Sequence, residues 1–272
     1  MSTINDEVVA NVQKFSAFLH SHKQDLDAPR SLKWLDSLVK GDNKPSSNRF
    51  QNSRLYYPGL TDNGWHDQNT VPFCAKLQDN AQRIAAEYFG RSDRDPATPY
   101  TQNDVQFITG TEWRAAILKR WYFNDEETHR YPVTSALLRD PDVAETAMFS
   151  VLQGGGKILP HCAPWNTRLT VHLGLRVPVG CEIRVCEETR TWKEGEALAF
   201  DDSFEHEVWN SSSESRAILL VDVWHPELSV DERIILEPAL KLLDDDYNSR
   251  FTVDDAIKSV CATVSNTRSI SV

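Results

Sequence analysis

Two histidines, His161 and His206, stand at the ends of predicted β-strands and could do metal chemistry. Neutral imidazole binds divalent iron well, and a non-haem iron(II) site needs few protein ligands because positions must stay open for oxygen and a co-substrate. His161 ends the run FSVLQGGGKILPH, and His206 follows the acidic turn FDDSFEH, 45 residues later. Many oxygenases add a carboxylate two residues after the first histidine, where this sequence has Ala163. Spacing alone leaves two interpretations open, a metal site or two ordinary histidines at strand ends.

The elements that must position these histidines begin with helices. Apolar residues recur at helical spacing in the first forty residues and predict two helices, residues 77–90 predict a third that ends on Gly90, and the chain returns to helical spacing after Ser229. Residues 41–53 are polar and predict a loop. We therefore expect an amino-terminal helical extension (1–50), a catalytic domain (51–230) and a carboxy-terminal helical segment packed on that domain (231–272). The spacing rests on Val8, Val12, Phe15 and Leu19, then Leu32, Trp34, Leu35 and Leu38.

From about Trp113 onward the period changes to two, and short apolar runs alternate with turn signals, which predicts antiparallel sheet. Residues 168–177 alternate most clearly, with Arg168, Thr170 and His172 on one face, as would suit a barrel interior that holds a charged ligand. Residues 216–224 are apolar on both faces apart from Arg216 and Asp222, as in a central strand covered on both sides. The pattern predicts a mainly β fold with flanking helices, a double-stranded β-helix of the jelly-roll, cupin-like kind.

Composition excludes several classes of function. The 272 residues carry a net charge of -11 and no stripe of Lys and Arg, so a nucleic-acid partner is not expected. No window approaches 18 consecutive apolar residues and the opening segment is acidic and polar, so we expect no membrane partner and a cytoplasmic location. The five cysteines are an odd number without a CxxC pair, and they predict free thiols rather than a zinc ribbon or disulfides. The oligomeric state does not follow from the sequence.

Four motifs carry a resemblance to a known family. The segments GGKILPHCAPWNTRLTVHLGLRVP, WKEGEALAFDDSFEHEVWN and SRAILLVDVWHPEL closely resemble the catalytic core of the aspartyl/asparaginyl β-hydroxylases, and RLYYPGLTDNGWHD resembles its entry motif. The similar region runs from about residue 54 to 230. The resemblance implies a jelly roll that uses iron(II), O2 and 2-oxoglutarate as co-substrate, with His161 and His206 as metal ligands. It also implies that Ala163 is no defect, because this family is known for water in place of the carboxylate.

The same resemblance assigns further site residues. Asp202, four residues before His206, could orient a metal-bound water, although Asp201 competes for this role and an ordinary turn aspartate is the alternative. Arg216 matches the family's partner for the far carboxylate of 2-oxoglutarate, which suits the two-pronged guanidinium. His172 and Ser150 match residues that help to hold the co-substrate.

Two positions depart from the family. Members that hydroxylate aspartyl or asparaginyl residues have basic side chains at the positions of Met148 and Thr170, and neither is basic here. Arg168 remains and could carry part of that task in binding the co-substrate. Since those members also have a membrane anchor and a helical repeat region that this sequence lacks, we expect a small-molecule substrate, such as an amino-acid-derived biosynthetic intermediate.

Other readings of the sequence remain open. A metal-dependent isomerase or lyase could use the same fold without 2-oxoglutarate, and a jelly-roll binding module could keep the fold without turnover. Zinc is an alternative metal, although hydrolytic zinc sites normally have three protein ligands. The aromatic residues and His225 are interpreted as structural, the aromatic set being Trp192, Trp209, Trp224, Tyr56 and Tyr57.

Overall fold

The computed structural model describes residues 5–22, 25–90 and 108–269. The chain forms two compact units. The helical unit comprises Met1–Pro45, Arg54–Leu60 and Glu227–Val272, and the β unit comprises Ser46–Ser53 and Thr61–Pro226. This grouping places the carboxy-terminal helices with the amino-terminal ones, whereas the predicted domain boundaries near residues 50 and 230 stay a prediction.

The secondary structure follows the predicted change from helix to strand and back. The helices are α1 (Asp6–Ser21), α2 (Pro29–Lys40), α3 (Pro72–Asp79), α4 (Ala81–Phe89), α5 (Asp125–Arg130), α6 (Pro132–Leu137), α7 (Val230–Leu243) and α8 (Val253–Ser269). The strands are β1 (Trp65–His66), β2 (Ile108–Thr109), β3 (Trp113–Arg120), β4 (Tyr122–Phe123), β5 (Val143–Leu152), β6 (Lys157–His161), β7 (Arg168–Arg176), β8 (Cys181–Val185), β9 (Glu188–Arg190), β10 (Ala197–Phe200), β11 (His206–Asn210) and β12 (Arg216–Trp224).

The helical unit packs α1, α2, α7 and α8 through apolar faces. The two amino-terminal helices are confirmed, and α2 ends at Gly41, whose φ of 69° is the left-handed conformation that glycine adopts without a steric cost. Within this unit Glu232 joins several elements. Its carboxylate accepts hydrogen bonds from Arg30 Nε at 2.6 Å, from the Tyr57 hydroxyl at 2.8 Å and from the Ser229 backbone N–H at 2.9 Å. The last contact completes a capping box at the start of α7.

We expect Glu232→Ala to lower the free energy of unfolding by about 2–4 kcal/mol, because it removes charge-assisted hydrogen bonds and one half of the capping box. Burial raises the pKa of Glu232, but hydrogen bonds from Arg30, Ser229 and Tyr57 outweigh it and leave the pKa below its ordinary value. A lowered pKa means that this stabilisation is present above about pH 4 and is lost as the pH falls further. Urea unfolding of the wild type and of Glu232→Ala at pH 7 and at about pH 3 measures both effects. Asp231→Asn, which keeps an acceptor for the Asp27 N–H, is the control.

The β unit is a double-stranded β-helix. Its large sheet has the strand order β1-β10-β7-β12-β5-β3-β4, its small sheet has the order β2-β6-β11-β8-β9, and all named strand pairs are antiparallel. β12 lies between β5 and β7 and is buried on both faces, which confirms the predicted central strand. The mainly β, jelly-roll fold is thereby confirmed.

Two apolar layers enclose the large sheet. One cluster draws side chains such as Met148 and Ile218 from the large sheet and Ile183 and Val208 from the small sheet, and it fills the space between the sheets. The other cluster covers the outer face of the large sheet, where Leu169 and the other apolar residues of β7 pack against α3 and α4. The alternate residues of β7, including His172, face the interior between the sheets, as the sequence pattern predicted.

Two details of the predicted elements were wrong. Residues 77–90 form two helices, since α3 ends at Asp79 and α4 begins at Ala81, and Gly90 caps α4 with an ordinary right-handed φ of -67°. The run FSVLQGGGKILPH is two strands, β5 and β6, because the three glycines between them form a turn. Gly155 in that turn has a φ of 78°, a conformation that favours glycine.

A β-bulge in β6 sets the direction of its last side chain. His206 lies opposite His161 and Val208 lies opposite Ile158, so one residue of β11 faces the two residues Leu159 and Pro160 of β6. Side chains alternate between the two faces of a strand, and one extra residue reverses that alternation. His161 therefore shares the inner face with Ile158, although three positions separate them.

None of the helices in the described ranges is both long and apolar enough to cross a bilayer.

Candidate functional site

His161 and His206 meet at one end of the small sheet. They are directly opposed on neighbouring strands, and their ring centroids lie 4.1 Å apart with an interplanar angle of 50°. The two residues are brought together only because β6 and β11 pair in this register. The structure thus places the predicted pair side by side, while its role as a metal site stays a prediction.

Both imidazole rings are held in the same way. His161 Nδ1 donates to the carbonyl oxygen of Leu159 at 2.8 Å, and His206 Nδ1 donates to that of Phe204 at 2.9 Å. A carbonyl oxygen can only accept, so Nδ1 carries the proton in each neutral ring and Nε2 keeps its lone pair. Burial, followed by the nearby His161, lowers the pKa of His206 to about 3, which keeps that ring neutral at neutral pH. Neutral rings with one fixed tautomer are what metal ligation requires.

The donor set fits a metal with few protein ligands. Among the described residues, no group of three or more His, Cys, Asp and Glu side chains is arranged to hold a metal ion. An ion held by this pair would keep several positions open for water and substrates. His225 lies elsewhere in the β unit, with its ring 5.5 Å from that of His66 and its backbone N–H donating to Thr167.

The structure distinguishes between the two aspartates of the turn before β11. Asp201 accepts hydrogen bonds from the Ser203 N–H at 2.9 Å and from Gln51 Nε2 at 3.3 Å, and it is the turn aspartate that bonds its own backbone. Asp202 Oδ2 accepts a hydrogen bond from Arg168 Nη2 at 3.3 Å. The buried Oδ1 of Asp202 has no hydrogen-bond partner among the described residues. The backbone oxygen of Asp202 also accepts the N–H of Ala163 at 2.7 Å. Asp202 is therefore the aspartate with an acceptor to spare beside the histidines.

Arg216 is a buried cation without a counter-charge. Its guanidinium lies over the ring of Trp192, with Cζ 4.9 Å from the ring centroid, and its Nε and Nη1 have no hydrogen-bond partner in the described part of the chain. Burial lowers the pKa of Arg216 to about 10, so it remains charged at neutral pH. An uncompensated buried charge costs several kcal/mol even after relaxation (~3–5 kcal/mol when a partner is removed). Such an arrangement suits an anionic ligand.

Two more donors are near Arg216. Trp192 Nε1 donates to His172 Nδ1 at 3.3 Å, which puts the proton of the neutral His172 ring on Nε2, and that buried atom has no partner among the described residues. Burial, then the charge of Arg216, lowers the pKa of His172 well below its usual range, so the ring stays neutral. Ser150 Oγ accepts from Trp113 Nε1 at 2.8 Å, which leaves its hydroxyl proton to donate.

Aromatic rings connect the two halves of the site. The Phe200 ring lies 5.5 Å from His206 and 5.0 Å from His172, and the His172 ring stacks on Trp192 at 6.0 Å. The pair His161 and His206 and the donors around Arg216 therefore line one interior, with the Phe200 ring between them.

Arg168 lies among carboxylates, and its predicted role in binding the co-substrate stays a prediction. Its guanidinium is shared by Glu145, by Asp202 at 3.3 Å and by Asp222 at 3.3 Å. Burial lowers the pKa of Arg168, but the three carboxylates outweigh it and hold the pKa well above its ordinary value. Three carboxylates already compensate its charge, so these contacts give no support to a role in binding 2-oxoglutarate.

Met148 and Thr170 occupy the two positions where the related hydroxylases are expected to have basic side chains. Met148 is buried in the apolar interior, and the Thr170 hydroxyl donates to Asp222 Oδ1 at 3.1 Å. Neither residue offers a positive charge to a carboxylate.

Sequence reasoning missed three residues of this region. Trp192 was interpreted as core, and it is buried, but it also orients His172 and covers Arg216. Glu145 and Asp222 were not assigned to the site although both are buried. A carboxylate within an otherwise apolar strand was the available signal for both, whereas nothing local to Trp192 shows which ring it contacts.

The chain is similar to known hydroxylases. Residues 78–226 match the family described as Aspartyl/Asparaginyl beta-hydroxylase. A Mus musculus protein named aspartyl/asparaginyl beta-hydroxylase is 55% identical over 86 residues, which are 31% of this chain and 12% of that protein. A Rhizobium tropici protein named ornithine lipid ester-linked acyl 2-hydroxylase is 34% identical over 180 residues, 63% of this chain and 64% of that protein. The matched region thus spans a small part of the mouse relative.

A solved structure from Thermotoga maritima, described as a predicted oxalate decarboxylase, is similar over 49% of this chain and 96% of its own, with 14% identity and a TM-score of 0.34. The fold assignment rests on the strand order given above and not on this likeness.

Proposed function

Because this chain belongs to the aspartyl/asparaginyl β-hydroxylase family, we propose that it is an iron(II)- and 2-oxoglutarate-dependent oxygenase that hydroxylates, or otherwise oxidises, an unactivated C–H bond. The observation that carries the proposal is Arg216, a buried guanidinium whose Nε and Nη1 have no hydrogen-bond partner among the described residues, in the same interior as a pair of opposed histidines. A buried guanidinium of this kind fits a carboxylate ligand, such as the far carboxylate of 2-oxoglutarate.

His161 and His206 would hold the metal through Nε2, since their Nδ1 protons are committed to backbone carbonyls. Iron(II) bound there supplies the activation of dioxygen, in which 2-oxoglutarate is converted to succinate and carbon dioxide. The backbone hydrogen bonds fix both rings in advance, so no reorganisation is needed when the metal binds. The open Oδ1 of Asp202 would accept a hydrogen bond from a water on the metal.

The far carboxylate of 2-oxoglutarate would bind between Arg216, His172 and Ser150. Arg216 offers the N–H donors of Nε and Nη1, His172 offers Nε2–H and Ser150 offers its hydroxyl proton. Phe200 and Trp192 exclude water around these donors, which strengthens each charge-assisted hydrogen bond.

We propose a small molecule as substrate, such as an amino-acid-derived biosynthetic intermediate, rather than an aspartyl residue of a protein domain. Met148 and Thr170 provide no positive charge for a substrate carboxylate, and Arg168 is already held by three carboxylates. The relative from Rhizobium tropici, by its name, acts on an acyl chain, so substrates without an aspartyl group have a precedent in a related sequence.

The proposal is tested by loading the purified chain anaerobically with iron(II) and 2-oxoglutarate, admitting oxygen and measuring succinate. We expect succinate even without the natural substrate, at a slow rate, and acceleration by a metabolite from a screen. Iron-loaded protein that neither binds 2-oxoglutarate in calorimetry nor forms succinate would contradict it.

A metal-dependent isomerase or lyase is the second candidate, and the apolar and neutral side chains of Met148 and Thr170 favour it. Such an enzyme would bind iron(II) but use Arg216 for a carboxylate of its own substrate. Metal binding combined with no 2-oxoglutarate affinity would favour this candidate over the oxygenase.

A further inference from the structure

Arg168 occupies an unusual place in the β unit, where three carboxylates from three segments converge on one guanidinium. Glu145 lies on β5, Asp222 on β12 and Asp202 in the turn that leads to β11, while Arg168 itself begins β7. The Trp165 ring adds a cation–π contact, with Arg168 Cζ 5.5 Å from its centroid. All these side chains are largely buried, so the contacts are weakly screened by solvent.

The contact with Asp202 differs from the other two. Glu145, Asp222 and Arg168 all lie on adjacent strands of the large sheet, whereas Asp202 lies in the turn that passes to the small sheet and ends at His206. The same turn is tied to the residues after His161 by the hydrogen bond from Ala163 N–H to the Asp202 carbonyl. Arg168 thereby connects the large sheet to the turn that carries Asp202 and leads into one histidine.

We propose that Arg168 is a positioning residue that fixes the Asp202 carboxylate beside His161 and His206, and that it acts on the metal only through Asp202. This inference rests on the proposed function of the same site. Arg168 Nη2 donates a hydrogen bond to Oδ2 of Asp202. The other carboxylate oxygen, Oδ1, has no hydrogen-bond partner among the described residues and can accept a hydrogen bond from another group. Glu145 accepts a hydrogen bond from Nη1 and the Asp222 carboxylate lies 3.3 Å from Nε, so two further carboxylates flank the guanidinium.

Lysine cannot replace Arg168 in this role. The guanidinium presents five N–H donors in a rigid plane and reaches three carboxylates at once, whereas an ammonium is a single point charge on a flexible stem. In Arg168→Lys the positive charge is kept, so the buried carboxylates stay partly compensated, but the contact with Asp202 at the far edge of the plane is lost. Removal of an outer partner of a metal site typically lowers metal affinity by roughly 10–100-fold.

The test uses cobalt(II), whose visible absorption bands report the coordination geometry without any need for turnover. We expect Arg168→Lys to bind cobalt(II) about tenfold more weakly than the wild type and with shifted bands. Asp202→Asn should show a similar loss, and the double variant should lose no more than Asp202→Asn alone, because coupled residues are non-additive. Thr170→Val, which removes a neighbouring contact to Asp222 and leaves Asp202 in place, should bind cobalt(II) like the wild type.

Each other outcome is decisive. If the fold-losses of cobalt(II) affinity in Arg168→Lys and Asp202→Asn multiply in the double variant, the two residues act independently and the inference is overturned. It is also overturned if Arg168→Lys binds cobalt(II) with the affinity and absorption bands of the wild type. A wild type that binds no cobalt(II) would overturn the proposed function and this inference with it. If Arg168→Lys does not fold, Glu145→Gln is compared with Glu145→Gln/Arg168→Gln, and only the second should lose cobalt(II) affinity.

Discussion

His206→Ala is expected to abolish metal binding, with the affinity for iron(II) or cobalt(II) lowered by more than about 100-fold, the upper end of what loss of an outer partner costs. The effect is large because the proposed site has two protein ligands and this change removes half of them. Succinate formation should fall to background. Calorimetric titration with cobalt(II) under argon measures the affinity directly.

His129→Ala is the matched control, because His129 is an exposed histidine on α5 in the same unit. It should bind cobalt(II) like the wild type. Retention of stoichiometric metal in His206→Ala, with an unchanged spectrum, would show that the opposed histidines are not the ligands.

Arg216→Met should have two opposite effects. In the absence of ligands it should raise the free energy of unfolding, by about 1–4 kcal/mol, because a buried guanidinium without a carboxylate partner is replaced by an apolar chain of similar length. In the presence of 2-oxoglutarate it should lose affinity by about 2–5 kcal/mol, since the co-substrate carboxylate would be buried without its cation. The contact with Trp192 recovers part of the cost in the wild type, so the gain belongs at the lower end of this range.

Thermal unfolding of the ligand-free proteins and titration of their iron-loaded forms with 2-oxoglutarate measure the two effects. Arg190→Met removes a guanidinium that stands over Trp65 at the surface and controls for a change of net charge. An Arg216→Met variant that is destabilised, and that still binds 2-oxoglutarate normally, would mean that Arg216 serves the fold rather than the co-substrate.

The strands and the central position of β12 could be predicted because alternation and turn residues are local properties of the sequence. The same holds for Arg216, since a charge at the head of an apolar strand is visible without a structure. The break between α3 and α4 was not visible, because the residues around Asn80 have helix-forming neighbours on both sides.

The contacts made by Arg168 could not be predicted, and the reason is physical. Its partners Glu145, Asp202 and Asp222 are 23, 34 and 54 residues away along the chain, and only the order of strands in the large sheet brings them together. A polar face of a strand shows that a side chain points inward, but it does not show whether that side chain meets a ligand or a carboxylate. The role of Trp192 escaped prediction for the same reason.

The bulge in β6 has a consequence for how the protein can change over time. Loops between strands can gain or lose residues at little cost, because their length has a small effect on stability. The stretch from Ile158 to His161 lies inside a strand, yet it can also lose one residue. Deletion of either Leu159 or Pro160 would remove the bulge and leave His161 two positions after Ile158, where ordinary alternation keeps it on the inner face opposite His206. A descendant with that single deletion would keep the two opposed histidines, whereas deletion of both residues would place His161 directly after Ile158 and turn its side chain to the outer face.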